Sequence, residues 1–261
     1  MLQHVNAVVL SVRNITISKE FYEQKLGFEC IDEGDIRGHR YARYIVGEGL
    51  ANLELIEVTE EEFLSKDLEG ELSPFNFYTQ TVDTCFDQLK KKGVEVFNFK
   101  ESPSVFTFDF KDPDGNILNV CEERDYKNPF YSSIKEAYEE NSERIFDGVA
   151  SVFLSTKNVD KLSDWFLELE GMKLFDDWND GKGLILPSGI KGASIGIFME
   201  EEAKVRTSIS KPSSIPFIYF QSNEIEKDFE KFKRNNVSVT ALIHGCFYFT
   251  DIDGNLFGVR E

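Results

Sequence analysis

Apolar residues along the chain switch repeatedly between a period of two and a period of about 3.6, the pattern of interleaved strands and helices. Val5 to Val12 reads as a strand. Residues 16–26 read as an amphipathic helix with Ile17, Phe21, Tyr22 and Leu26 turned inward, ended by Gly27, which can adopt the left-handed conformation a helix end requires. Strands follow at Phe28–Glu33, Tyr41–Val46 and Leu53–Val58. The same order then returns: a strand over Phe75–Thr81, a helix over Asp83–Lys92 ended by Gly93, and strands at Val94–Phe97, Val105–Phe110 and Ile117–Cys121.

This β-α-β-β-β order occurs twice in residues 1–122 and twice more in residues 148–261, where Lys161–Glu170 and Ile225–Arg234 are the helices. An internal repeat supports the division. Ser11-Val12-Arg13-Asn14-Ile15, Phe21-Tyr22 and Leu26-Gly27-Phe28 recur as Ser155-Thr156-Lys157-Asn158-Val159, Trp165-Phe166 and Glu170-Gly171-Met172. Each half closes alike, with Asp112-Pro113-Asp114-Gly115-Asn116 in one and Asp251-Ile252-Asp253-Gly254-Asn255 in the other. Both are tight-turn sequences, so their role is structural before it is chemical. Residues 123–147 are charged and lack strand alternation; they read as a linker with a helix from Ser132 to Phe146, the connection most open to proteases. The fold class is therefore α+β, with two modules, each of paired βαβββ units forming a cupped mixed sheet with helices on its outer face.

These motifs carry a resemblance. Asn14-Ile15, Ser18, Phe21-Tyr22 and Leu26-Gly27-Phe28 after the first strand, with Asp112 to Asn116 before the last, are similar to the vicinal oxygen chelate superfamily of glyoxalases, bleomycin-resistance proteins and extradiol dioxygenases. The resemblance implies a cleft on the concave face of each sheet, and in the metalloenzymes a divalent ion held there by His or Gln, His and Glu. The matching first-strand positions are Ala7 and Ser151; the fifth-strand positions fall near Pro74 and Phe217; the eighth-strand positions are Asn119 and Gly258; the fourth-strand positions are Glu54 and Gly196. Glu54 alone is a strong ligand, and one carboxylate does not make a transition-metal site. His4 is offset from Ala7 by an odd number, His39 sits in a charged hairpin, and His244 precedes Gly245. No metal and no cofactor are expected.

If Ala7 faces inward, Val5, Val9 and Ser11 do too, together with Asn76, Tyr78, Ile117, Asn119 and Cys121. The expected ligand-binding residues are Glu54, Asn76, Tyr78, Asn119 and Arg43, in one cleft of the first module, with a filled cleft as the alternative. Ser151, Gly196, Phe217, Tyr219 and Gly258, their counterparts in the second module, suit a flat apolar ligand or internal packing.

Charge narrows the partners. A formal net charge of -18 repels phosphate backbones and anionic membranes, so neither nucleic acid nor a membrane is expected as a partner. Acidic runs such as Glu60 to Glu62 and Glu200 to Glu202 read as solvated turns or helix starts. The N-terminus shows no signal-peptide pattern, and no apolar run approaches a bilayer span, which places the chain in the cytoplasm. Cys30, Cys85, Cys121 and Cys246 lie far apart in apolar surroundings and read as reduced core thiols. The function that results is metal-independent small-molecule binding of the bleomycin-resistance type, by a monomer or a homodimer, leaning away from catalysis. The alternatives are a metal-dependent glyoxalase- or dioxygenase-like enzyme, a lyase or oxidoreductase, and a non-catalytic regulatory or interaction module.

Overall fold

A computed structural model of the chain describes residues 1–124, 133–134, 136–138, 144–210 and 213–261. The first unit comprises β1 (Leu2–Val12), α1 (Ile15–Glu20), β2 (Glu29–Ile36), β3 (His39–Ile45) and β4 (Asn52–Glu57), followed by a short α2 (Glu60–Leu64). The second comprises β5 (Phe75–Tyr78), α3 (Val82–Lys91), β6 (Glu95–Glu101), β7 (Val105–Lys111) and β8 (Ile117–Glu123). The third holds β9 (Gly148–Thr156), α4 (Val159–Glu170), β10 (Lys173–Trp178), β11 (Gly181–Ile185) and β12 (Ser194–Met199). The fourth holds β13 (Ile218–Ser222), α5 (Ile225–Arg234), β14 (Cys246–Thr250) and β15 (Leu256–Arg260). Of the linker, Ser133, Ile134, Glu136 and Ala137 are helical, whereas Tyr138 and 144–146 are not, so the helix does not reach Phe146 as expected; the other positions of 132–146 lie outside the described residues. Among the described residues no helix is long and apolar enough to cross a membrane.

Local chemistry explains where the helices begin and turn. Asn14 caps α1, its side-chain oxygen accepting from the backbone N–H of Thr16 at 3.0 Å and of Ile17 at 3.1 Å. Asn158 caps α4 in the same way, accepting from Lys161 N–H at 2.9 Å. Thr59 and Glu62 form a reciprocal capping box on α2, so the acidic run does begin a helix. The helix after Asn14 widens into a π turn over Phe21–Lys25 before Gly27. Its buried stripe is Ile15, Ser18, Tyr22 and Leu26, while Ile17 is 55% exposed, against the expectation that Ile17 packs inward. The polar Ser18 takes the inner place because its hydroxyl donates to Asp114 at 3.2 Å.

The two Asp-x-Asp-Gly-Asn turns are built alike. Asp112 accepts from the N–H of Asp114 at 2.9 Å and of Asn116 at 2.8 Å, and Asp251 accepts from Asp253 and Asn255 at 2.9 and 2.8 Å. Burial pushes both carboxyls above the ordinary aspartate range. Gly115 and Gly254 each take φ of 83°, which a side chain would resist.

The strands form two mixed sheets, of order β14-β15-β13-β1-β4-β3-β2 and β10-β11-β12-β9-β5-β8-β7-β6. The α+β class, the paired units and the outer helices agree with the sequence. The pairing partner does not follow the expectation of one sheet per module, because each sheet joins a unit of one module to a unit of the other. Strand β1 runs antiparallel to β13, with Ala7 opposite Tyr219, and β5 runs antiparallel to β9, with Asn76 opposite Ser151. Either pairing covers the exposed edge of a unit, so strand patterning alone is indifferent between them.

Residues from α1 and the π turn after it, α3, α4 and α5, among them Ile15, Tyr22, Leu89, Leu162 and Phe232, share one buried cluster with Val8, Val120, Ile195 and Phe220 of the two sheets. This cluster unites both sheets through their helix-covered faces. It leaves the opposite face of each sheet as the place for a site.

Candidate functional site

On the seven-stranded sheet the opposite face is packed by the chain itself. Ala7 and Val9 cluster with Ile56, Phe63, Tyr219 and Tyr248, and Ile209 and Ile215, from the segment before β13, join them. Val5 lies instead in the helix-side core, because the β1–β13 register slips between Val5 and Ala7. A bulge adds a residue and reverses the alternation on its N-terminal side, which corrects the expectation that Val5 and Ala7 share a face. Glu54 is 2% exposed, and one of its oxygens accepts from Arg43 Nε at 2.9 Å and from Arg260 Nη1 at 3.1 Å. Arg260 also donates to Asn6 at 2.5 Å and lies 4.2 Å from the centroid of the Tyr219 ring. At Gly258 a Cβ would sit 2.3 Å from the Tyr219 ring, so the absence of a side chain lets that ring fill the centre.

The eight-stranded sheet differs at every equivalent position. Asn76, Asn119 and Ser151 stand side by side on β5, β8 and β9, with Ser194 on β12 opposite Ser151. Asn76 accepts from the Ser151 N–H at 2.9 Å, and its amide donates to the Cys121 sulfur at 3.2 Å. Asn119 donates to Asp109 at 2.8 Å, and the Ser151 and Ser194 hydroxyls are 2.6 Å apart. Above this floor is a cavity of about 460 Å³. Its aromatic walls include Tyr138, Phe153, Phe175, Trp178 and Phe198. Phe198 holds the wall together, with ring centroids 5.6 Å from Phe153 and 5.5 Å from Trp178. Phe153 lies over Gly196, where a Cβ would come within 2.8 Å of its ring. Among the described lining residues Glu71, Asp109, Glu123 and Asp176 outnumber the cation Lys100 and lend the lining an acidic character. Burial pushes the Cys121 thiol and the Tyr78 and Tyr138 phenols above their ordinary values, so all three stay protonated near neutral pH. The floor of the site offers neutral donors and acceptors under an aromatic wall, and four carboxylates add negative charge to the lining.

The structure thus splits the expected ligand set. Asn76, Tyr78 and Asn119 line this cavity, whereas Glu54 and Arg43 lie on the other sheet, bonded to each other. The expectation that all five converge in one cleft of the first module is corrected, and the reason is the exchange of units between modules. Ser151 and Gly196, read as second-module counterparts, belong to the same cavity as Asn76 and Asn119. The sequence pattern does not point to Phe175 and Trp178, which line the cavity. Strand β10 slips register between Leu174 and Asp176, so period-two reading assigns its side chains to the wrong faces, although a tryptophan on an edge strand was a usable signal.

The sequence profile of the Glyoxalase/Bleomycin resistance protein/Dioxygenase superfamily matches residues 2–120 and 148–259. The chain belongs to this superfamily. No curated protein matches its sequence. Among solved structures, a "putative dioxygenase" of Bacillus subtilis subsp. subtilis str. 168 superposes with a TM-score of 0.73 at 14% identity, covering 99% of this chain and 85% of that one. Glyoxalase I from Zea mays superposes with a TM-score of 0.71 at 15% identity, covering 99% and 92%. At these identities the likeness concerns the fold.

The superfamily's metalloenzymes imply a divalent ion at the centre of each sheet, and the donors of this chain do not suit one. The central positions are Ala7, Glu54, Tyr219 and Gly258 on one sheet, and Ser151, Gly196, Asn76 and Asn119 on the other. The first set has one carboxylate, already committed to two guanidinium groups, and the second has only neutral amides and hydroxyls. Among the described residues no three His, Cys, Asp or Glu side chains form a group able to hold a metal.

Proposed function

We propose that this member of the superfamily is a metal-independent small-molecule-binding protein and that its ligand, planar and largely apolar, occupies the cavity of the eight-stranded sheet. The observation that carries the reading is the contrast between the two sheets. Where the seven-stranded sheet is filled by Tyr219 and the Glu54 ion pairs, the eight-stranded sheet has small or neutral residues beneath aromatic walls. A few placed polar groups in an apolar enclosure of this size is the usual make-up of a small-molecule site. Asn119 and Ser151 supply orientation, and Trp178 and Phe198 supply stacking area.

A panel of planar aromatic compounds, screened by thermal unfolding in the presence of a chelator, tests this. A ligand at about 100 times its Kd adds roughly 2.7 kcal/mol to the stability of the native state. Stabilisation by members of the panel supports the reading. A panel that is silent with chelator but active once a divalent ion is added would point to the enzyme alternative.

A further inference from the structure

A second cavity, of about 500 Å³, opens where β9, the segment before β13 and the turn before β15 meet. Phe153, Leu154, Val205, Ile209, Phe217 and Leu256 give it an apolar wall. Its polar side is unusual. Nε and Nη1 of Arg206, and the hydroxyl of Ser208, are buried and make no hydrogen bond among the described residues. Each such donor costs stability while it lacks an acceptor.

The backbone that carries these donors is held from the other module. Arg206 N–H donates to Leu72 O at 2.9 Å, the Thr207 hydroxyl accepts from Asp67 N–H at 2.9 Å, and Ser208 O accepts from Ser11 N–H at 2.9 Å. Arg206 and Ser208, two residues apart on this pinned segment, therefore present their groups from a fixed frame. The carboxylates of Asp109 and Glu71 act on Arg206 through space but make no ion pair with it. Asp253, the carboxylate on the cavity lining, is solvent-exposed. A planar guanidinium with free N–H groups matches a carboxylate, and an adjacent hydroxyl can donate to the same oxygens.

We propose that this cavity is a second binding site, separate from that of the eight-stranded sheet, which takes an amphiphilic carboxylate: Arg206 and Ser208 hold the anionic head and the apolar wall holds the chain. The acidity of the protein sets the requirement, since a surface of net charge -18 repels anions and an anion must be drawn by a local, buried cation.

Titration calorimetry of the full chain with octanoate, octanol and octylammonium tests the proposal. Octanoate should bind at least about tenfold more tightly than either analogue, because charge-assisted hydrogen bonds are made only by the carboxylate. Arg206→Leu should remove that preference, Arg206→Lys should retain part of it, and Trp178→Leu, on the far strand of the other cavity, should leave octanoate affinity unchanged. The comparison of the three probes on the unaltered protein stands even if Arg206→Leu fails to fold. The proposal is overturned if octanol matches octanoate, if octanoate does not bind at millimolar concentration, or if Trp178→Leu rather than Arg206→Leu weakens it.

Discussion

Replacing Glu54 with alanine separates a structural carboxylate from a ligand-binding one. Glu54 is buried, and its partners Arg43 and Arg260 retain 23% and 14% side-chain exposure. Removing one member of a buried ion pair costs about 3–5 kcal/mol, because a charge is left without its partner. Here the two arginines can regain some water, and Arg43 keeps Asp32 at 3.6 Å, which reduces the loss to about 2–3 kcal/mol. For a chain of this size each kcal/mol moves the midpoint by roughly 2–4 °C, so Glu54→Ala should melt about 5–10 °C lower. Glu54→Gln keeps the shape and an acceptor and should lose about half as much. Far-UV circular dichroism during heating, supported by urea titration, reads both. A Glu54→Ala protein that melts with the unaltered one, or that loses small-molecule binding while keeping its stability, would refute the assignment of Glu54 to the packed face.

Lys66 is buried, donates to Asn116 and to Ser11 O, and lies 4.3 Å from the Phe63 ring centroid. Burial lowers its pKa from 10.5 to about 8, opposed by Asp112 and Asp114. Between those values the unfolded chain holds a proton that the folded chain has released, so stability from this group rises with pH through the window and is lost as pH falls through about 8. The shift corresponds to roughly 3 kcal/mol, and the stability difference between the unaltered protein and Lys66→Met, measured by urea unfolding, should grow in favour of the unaltered protein across that window. A constant difference would contradict it. Zn, Ni and Mn should leave the melting temperature within about 1 °C, since a true site saturated with metal shifts it by several degrees. Gly258→Val should lower the melting temperature by displacing the Tyr219 ring, read by the same thermal scan, whereas an unchanged midpoint would show that the ring has room to move.

The elements were largely legible because their determinants are local. Asn14, Asn158, Gly27 and the two Asp-to-Asn turns act within a few residues of themselves, and each half states them again. What was not legible is non-local. Whether β1 pairs with β8 or with β13 depends on how whole units pack, and the alternation of β1 is compatible with both. That choice scattered the expected site, sending Glu54 and Arg43 to one sheet and Asn76, Tyr78 and Asn119 to the other. The bulge before Ala7 misdirected face assignment by one residue, and the one within β10 hides from the period-two pattern which of its side chains face the cavity. Arg206 gave no signal at all in the sequence, since its significance lies in the bonds it does not make.

The chain has two tryptophans, and only Trp178 lines the cavity of the eight-stranded sheet; Trp165 packs against Phe166 and Phe249. In a Trp165→Phe background, titration of an aromatic ligand found by thermal screening reports directly on that cavity through Trp178 emission. Saturable quenching is predicted, weakened about tenfold by Asn119→Leu, which removes a polar anchor from the floor, and unaffected by Glu54→Ala. Emission from Trp178 that ignores a bound ligand, or a titration altered by Glu54→Ala and indifferent to Asn119→Leu, would contradict the placement of the ligand in this cavity.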